Sequence, residues 1–262
     1  MRFLRLTIAY DGTNFAGWQI QPKCRTVQET LELALQKITG QPVRTVASGR
    51  TDAGVHALGQ VASCRTNCAL PVDVLRRALN AHLPHDVAVL VVDEAPLGFH
   101  ALRDAVSKRY RYQLQDGRVR DVFRRHIVWQ YSEHLDDRAM HRAAQSLVGT
   151  HDFSSFESAG SPRATSVRTI LELGVARDKG RAGDQITIDV VADGFLYNMV
   201  RTIVGTLVEV GRGARPESWS LEVLQAKDRR RAGPTAPPQG LLLVDVNYDA
   251  ARGGAQAVGR VS

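Results

Sequence analysis

The order of the secondary-structure elements is the feature of this 262-residue chain that most restricts its fold. Apolar and polar residues alternate over residues 4–8, as on a strand, and apolar positions then recur at helical spacing over residues 27–38. Two short strands, a helix that starts at Pro71 and a strand at residues 87–92 follow. This β-α-β-β-α-β order is the split unit of ferredoxin-like folds.

The remaining sequence predicts a second unit with a similar order. Its predicted elements are strands at 106–114, 169–175, 185–191 and 241–246 and helices at 136–148 and 196–209, with an added strand at 127–131 and an added helix at 216–226. The sequence therefore predicts an α+β protein of two ferredoxin-like lobes, residues 1–105 and 106–249, that meet along a groove. Residues 250–262 have little bulky apolar content and two adjacent glycines, which predicts a flexible tail.

Residues 48–56, Ser-Gly-Arg-Thr-Asp-Ala-Gly-Val-His, place an acid beside an arginine in a turn bounded by glycines. The flanking residues 43–47 and 59–63 have the character of short strands, so the turn joins two elements of a sheet. Arg50 can hold the carboxylate of Asp52 ionised, and a fixed anionic oxygen is a nucleophile or a base. The alternative is that Asp52 only organises the backbone of its turn.

The balance of charge favours a polyanionic partner such as nucleic acid. The chain has 34 Lys and Arg against 27 Asp and Glu, a net charge of +7. Many of these cations are clustered, at residues 76–77, 108–112, 118–125 and 229–231. The cluster at 108–112 interleaves tyrosines with cations, which suits phosphate contact together with base stacking. Charge alone also fits a basic protein with no such partner.

The three cysteines, Cys24, Cys64 and Cys68, show no disulfide pattern, which favours a reducing compartment and predicts a cytoplasmic protein. Cys64 and Cys68 lack the second Cys or His pair of a zinc finger, so no metal is predicted. No apolar stretch is long enough to span a membrane, and no membrane partner is predicted.

Several motifs together resemble the TruA-type tRNA pseudouridine synthases. The turn at residues 48–56 is similar to the signature of that family, in which the Asp of Gly-Arg-Thr-Asp-Ala-Gly-Val-His is the catalytic residue. Further similar motifs follow in the same order, at residues 10–12, 17–19, 26–29, 99–101, 108–112, 198–205 and 235–241. The resemblance extends from about Leu4 to Tyr248 and leaves out only the tail.

The resemblance implies an enzyme that isomerises uridine to pseudouridine in tRNA and needs no cofactor. The implied targets are the uridines at tRNA positions 38, 39 and 40, in the anticodon stem-loop. The implied assembly is a homodimer in which one tRNA touches both subunits. The resemblance also implies a mainly antiparallel central sheet through both lobes, with the helices packed on its outer side and the active site in the cleft between the lobes.

Four residues are candidates for the site. By resemblance, Asp52 is the catalytic carboxylate, acting as nucleophile or as the base that removes a ribose proton, and Tyr110 lies against the target uracil and is a candidate for the late proton transfer. Arg50 would pair with Asp52 or with the phosphate of the extruded nucleotide. Arg201 lies on an otherwise apolar helix, where a charge is costly unless paired, and its expected partner is Asp52. The alternatives are a half-buried strand aromatic for Tyr110 and an exposed helix position for Arg201.

Two other classes of protein fit parts of this pattern. Two ferredoxin-like halves with basic, aromatic strands also describe a non-catalytic tandem RNA-binding module, although residues 108–112 match the RNP signature only faintly. A hydrolase with paired carboxylates would need a second acid that works with Asp52, and none stands out near it in the sequence.

Overall fold

A single ten-stranded sheet forms the centre of the computed structural model, which describes residues 1–158, 160, 165–180 and 183–249. The strands are β1 (Arg2–Tyr10), β2 (Thr45–Ala47), β3 (His56–Thr66), β4 (Val87–Ala95), β5 (Ser107–Asp116), β6 (Trp129–Tyr131), β7 (Gly149–Asp152), β8 (Val167–Asp178), β9 (Gln185–Ala192) and β10 (Leu241–Asn247). The α-helices of the described residues are α1 (Val27–Thr39), α2 (Val72–His82), α3 (Asp137–Gln145), α4 (Met199–Gly211) and α5 (Trp219–Ala226).

The strand order repeats between the two halves of the chain. The main path is β4-β1-β3-β10-β5-β9-β8-β7, with β2 paired to β3 and β6 paired to β5. Both β4-β1-β3-β2 and β10-β5-β9-β8 therefore place the fourth, first, third and second strands of their unit side by side. The pairings are antiparallel except β10 with β3 and β5 with β6. The predicted α+β class with a mainly antiparallel sheet is confirmed.

The last strand, β10, joins the two halves of the sheet. Leu242 pairs with His56 of β3 in parallel, and Leu243 pairs with Tyr110 of β5 in antiparallel fashion. The start of β3, which follows the turn that carries Asp52, and strand β5, which carries Tyr110, are thus separated by one strand only. At strand spacings of about 4.8 Å, this brings residues 56–57 and 110–112 within about 10 Å of each other.

Local sequence signals set most element boundaries. The Thr26 hydroxyl accepts the Glu29 N–H at the start of α1, and Gly40 ends the helix with a φ of 71°. The predicted helix at 196–209 instead begins at Met199, because Asn198 has a left-handed φ of 60° that helical residues do not adopt. Strand β7 was not predicted, since its four residues show no apolar alternation.

Segment 233–240, which leads into β10, is packed closely against α4. A Cβ on Gly205 would lie 1.7 Å from the Pro234 carbonyl oxygen, so only glycine allows this approach. The Thr206 hydroxyl accepts the Gly233 N–H at 3.0 Å, and the Arg201 carbonyl accepts the Ala236 N–H at 3.0 Å. The helix and the segment therefore reach the site as one packed unit.

The division into lobes at residues 105 and 106 stays a prediction, and the predicted tail at 250–262 lies outside the described residues. Among the helices of the described ranges, none has the length and apolar character that crossing a membrane requires.

Candidate active site

The turn that carries Asp52 is held against the segment after β1. The Trp18 N–H donates to the Thr51 carbonyl at 3.0 Å, and the Val55 N–H closes the turn on the Asp52 carbonyl at 3.1 Å. Gly17 has a φ of 99°, and a Cβ there would lie 2.6 Å from the Thr51 oxygen. The glycine allows the two backbones to meet, which fixes the base of the Asp52 side chain.

A buried polar network supports the same turn from below. Gln60 is fully buried; its Oε1 accepts the Ser48 hydroxyl at 2.7 Å and its Nε2 donates to the Gly49 carbonyl at 2.9 Å. The Tyr10 hydroxyl lies 2.7 Å from Thr51 Oγ1. Burial raises the pKa of Tyr10 to about 12, against the opposing effect of its hydrogen bonds, so the phenol stays protonated. The network holds the backbone on both sides of Arg50.

Asp52 and Arg201 lie together across the two halves of the chain. Arg201 Nη1 is 3.7 Å from Asp52 Oδ2, and the side chains are 15% and 29% exposed. Two hydrogen bonds orient the guanidinium, from Nε to the Ala236 carbonyl at 2.7 Å and from Nη1 to Asn198 Oδ1 at 2.8 Å. The left-handed turn at Asn198 therefore aims the arginine at Asp52 as well as starting α4.

The Asp52 carboxylate is left free for chemistry. Burial raises its pKa above the ordinary value, and the positive charge of Arg201 opposes that rise. Within the described residues, no hydrogen-bond donor satisfies either carboxylate oxygen, and Arg201 stands at ion-pair distance only. A partly desolvated anion with unused lone pairs is a stronger nucleophile and base than a fully solvated one.

Tyr110 lies on β5 and is buried, with 7% of the residue exposed. Its ring meets Phe195 edge to face, at 4.9 Å between centroids. Burial raises the pKa of Tyr110 far above the ordinary phenol value, and the negative charge of Asp52 raises it further. The phenol is therefore protonated and neutral, and a phenolate at this position would be repelled by the nearby Asp52 carboxylate.

Arg50 is exposed at the outer side of the turn. Over the ranges that the structure describes, it forms neither a hydrogen bond nor an ion pair, and the cation beside Asp52 is Arg201. Of the four candidate residues, Asp52, Arg201 and Tyr110 are brought together, whereas the Arg50 side chain points to the solvent around them.

Sequence reasoning missed three supporting residues. Gln60 is a polar residue within the predicted strand at 59–63, and a buried amide at such a position signals a polar partner across the fold. Tyr10 belongs to the first of the collinear motifs, but its partner could not be read from it. Nothing in the local pattern indicates the left-handed backbone at Asn198. No group of three or more His, Cys, Asp or Glu side chains in the described ranges is arranged to hold a metal ion.

Comparison with known proteins assigns the family. The family model described as tRNA pseudouridine synthase matches residues 6–102 and 143–249. Proteins named tRNA pseudouridine synthase A are similar over 95% of this chain: that of Acetivibrio thermocellus is 45% identical over its full length, and that of Moorella thermoacetica is 47% identical over its full length. The protein of that name from Limosilactobacillus fermentum is 47% identical over 97% of its length.

The chain belongs to the tRNA pseudouridine synthase family. It is an isomerase that converts uridine to pseudouridine in tRNA. Among solved structures, the crystal structure of a Cbf5-Nop10-Gar1 complex matches with a TM-score of 0.36 and 12% identity, over 91% of this chain and 57% of that chain, a similarity too low to bear on the fold.

Proposed function

We propose that Asp52 is the catalytic carboxylate of this enzyme. The observation that carries the proposal is the pair across the two halves, in which Asp52 faces Arg201 at 3.7 Å and keeps both oxygens free of hydrogen bonds from the described residues. The reaction breaks the bond from uracil N1 to ribose C1′ and forms a bond from C5 to C1′, and the proton that C5 loses is balanced by a proton that N1 gains. Asp52 acts either as the nucleophile or as the base that removes a ribose proton.

Three side chains assist Asp52. Arg201 limits the rise of the Asp52 pKa and so keeps the carboxylate ionised near neutral pH. Tyr110 supplies a neutral aromatic surface for the uracil, because its raised pKa keeps the phenol protonated at neutral pH. Arg50 is exposed and without an ion pair among the described residues, so it contacts the phosphate of the extruded nucleotide.

The substrate uridines are those at tRNA positions 38, 39 and 40. Support for these positions comes from the collinear motifs that resemble the TruA-type enzymes. The active enzyme is a homodimer in which one tRNA contacts both subunits, and the same motifs support this assembly. The three cysteines are free thiols, which supports a reducing compartment such as the cytoplasm.

The role of Asp52 is tested by tritium release from tRNA that carries 5-tritiated uridine. We expect Asp52→Ala to abolish release while tRNA binding stays within a few fold. Asp93→Ala, which removes a carboxylate that is 40% exposed on β4, is the matched control and should react normally. Full turnover by Asp52→Ala would refute the assignment.

The substrate positions are tested by mapping pseudouridine in tRNA from cells that lack this protein. We expect loss at positions 38–40 alone, with recovery on expression of the intact chain and none with Asp52→Ala. Loss at other positions, or an unchanged map, would contradict the proposal.

A further inference from the structure

The connection between β5 and β6, residues 117–128, is an arginine-rich loop outside the residues that the family model matches. We call it the arginine loop. Its arginines are Arg118, Arg120, Arg124 and Arg125. Three of them, Arg120, Arg124 and Arg125, line a groove together with Trp129, Pro237 and Gln239.

The groove is strongly cationic. Arg120, Arg124 and Arg125 face one carboxylate, that of Asp121. Asp121 is engaged in the loop itself, since its Oδ1 accepts the Phe123 N–H at 3.0 Å and the Arg124 N–H at 3.2 Å. Across the described ranges, none of the three arginines forms an ion pair. Three guanidinium groups with a single carboxylate among them leave a local excess of positive charge, which matches a ligand that brings several negative charges.

An aromatic side chain is presented beside these cations. Phe123 is 93% exposed, next to Arg124 and Arg125 in the sequence, and the neighbouring Val122 is 55% exposed. A phenylalanine held in water at the edge of a cationic groove contributes nothing to the core. Guanidinium groups together with an exposed aromatic ring are the combination that binds nucleic acid, through phosphate contact and base stacking.

The groove and the catalytic site share one wall. The Tyr112 hydroxyl donates to the Pro237 carbonyl at 2.7 Å, and the Tyr112 ring meets that of Trp129, which lines the groove, edge to face. On its other side the same segment reaches the catalytic turn, where Pro238 Cγ lies 3.0 Å from the position that a Cβ on Gly54 would take. Because only residues 237–239 separate the two sites, an RNA strand passes from one to the other within a few nucleotides.

We propose that the arginine loop is a second RNA-binding element, which holds the sugar–phosphate backbone of the substrate tRNA a few nucleotides from the target uridine while Phe123 stacks on an RNA base. The groove arginines offset part of the cost of extruding the target nucleotide. The proposal depends on tRNA being the substrate and is independent of the role proposed for Asp52.

The test compares two triple variants that remove the same charge. Arg120→Ala/Arg124→Ala/Arg125→Ala removes the groove cations. Lys37→Ala/Arg77→Ala/Arg138→Ala removes three exposed cations from α1, α2 and α3 that have no ion pair within the described residues. Kd for tRNA is measured at several salt concentrations, in the intact enzyme and again with Asp52→Asn, so that binding is followed without turnover.

We expect the groove variant to bind tRNA about 10-fold or more weakly, with a slope of log Kd against log salt that falls by about 2 to 3, since each lost phosphate contact removes about 0.9. The helix variant should bind within about 2-fold with an unchanged slope. At saturating tRNA, the single-turnover rate of the groove variant should stay within a few fold of the parent. Equal effects in both variants, or no effect in the groove variant, would overturn the proposal.

Phe123 provides a separate test that does not depend on the fold of the loop, because its side chain makes so little contact with the protein. We expect Phe123→Ala to weaken tRNA binding by roughly 5-fold or more and Phe123→Trp to restore it, as for a stacking contact. Unchanged binding by Phe123→Ala would overturn the stacking part. Unchanged tRNA binding by both the groove variant and Phe123→Ala would assign the groove to an acidic protein partner instead.

Discussion

Two aspartate–arginine pairs in this enzyme combine the same types of side chain but differ in the direction of the aspartate pKa shift. In the candidate active site, Asp52 lies 3.7 Å from Arg201 and has a raised pKa. At the far end of β5, Asp116 lies 2.9 Å from Arg177 and has a lowered pKa. Burial and a neighbouring positive charge act on the pKa of both aspartates. The two differ in how many of the carboxylate lone pairs accept hydrogen bonds.

Asp116 belongs to a closed network. Burial alone would raise its pKa, but hydrogen bonds from Arg177 and the Leu135 N–H lower it below the ordinary value. Arg177 Nη1 and Nη2 donate to the two Asp116 oxygens at 3.0 and 2.9 Å, and the same guanidinium also contacts Asp137 and Asp184. A carboxylate with its oxygens occupied stabilises the fold, whereas one with free oxygens can react and destabilises the fold.

The largest effect on catalysis after loss of Asp52 itself is expected for Arg201→Met. We expect kcat/KM to fall by about 10²–10³-fold, because the charge that faces the reacting carboxylate is removed. Since Arg201 lowers the pKa of Asp52, the acidic limb of the pH–rate profile should move to higher pH. Arg201→Lys, which keeps the charge, should shift that limb less. An unmoved limb in Arg201→Met would contradict the pairing.

In the closed network, the corresponding change should affect stability and not chemistry. Arg177→Met leaves the carboxylates of Asp116, Asp137 and Asp184 without their shared cation. We expect the free energy of unfolding to fall by about 3–5 kcal/mol, measured by denaturant titration. At temperatures where the variant is folded, kcat should stay within a few fold of the parent. A loss of kcat comparable to that of Arg201→Met would show that the two pairs are not functionally distinct.

A smaller effect is expected from a change in the buried polar network that supports the turn carrying Asp52. Tyr10→Phe removes the hydroxyl that lies 2.7 Å from Thr51 Oγ1. We expect a loss of about 1 kcal/mol in stability and a fall of about 10-fold in kcat, because the turn holds Asp52 less firmly. Ser155→Ala is the control, since it removes a buried hydroxyl that donates to Val223 at 2.6 Å in the second half of the chain. It should lose similar stability with kcat unchanged; equal kcat losses would argue against a positioning role for Tyr10.

Local sequence patterns were sufficient for most elements but not for their arrangement. Helix α1 lies where the spacing over residues 27–38 predicts it, and Thr26 and Gly40 bound it, because caps depend on a few adjacent residues. The position of β10 between β3 and β5 could not be predicted, since its apolar pattern identifies a strand without identifying its neighbours. Strand β7 was missed for the opposite reason, because its four residues are held by pairing with β8 and have no pattern of their own.

For the site too, the sequence identified candidate residues but not all of their spatial partners. A charge at Arg201 on an apolar helix implied a buried partner, and the structure places Asp52 there. The sequence left open whether Arg50 also pairs with Asp52, and in the structure Arg201 faces Asp52, oriented by its hydrogen bonds to Asn198 and Ala236.

The most direct test of this account is the comparison of Asp52→Asn with Asp116→Asn, in single-turnover pseudouridine formation and in unfolding at several pH values. The raised pKa of folded Asp52 means that stability falls as pH rises through that pKa, so Asp52→Asn should be at least as stable as the parent at pH 7, with the difference vanishing below about pH 4. The lowered pKa of Asp116 has the opposite sign, so its stabilisation is present at pH 7 and is lost as pH falls. We expect Asp52→Asn to be inactive and stable at pH 7, and Asp116→Asn to be active and to lose about 3 kcal/mol in the free energy of unfolding. An Asp52→Asn variant that turns over tRNA, or that is destabilised as much as Asp116→Asn, would contradict this account.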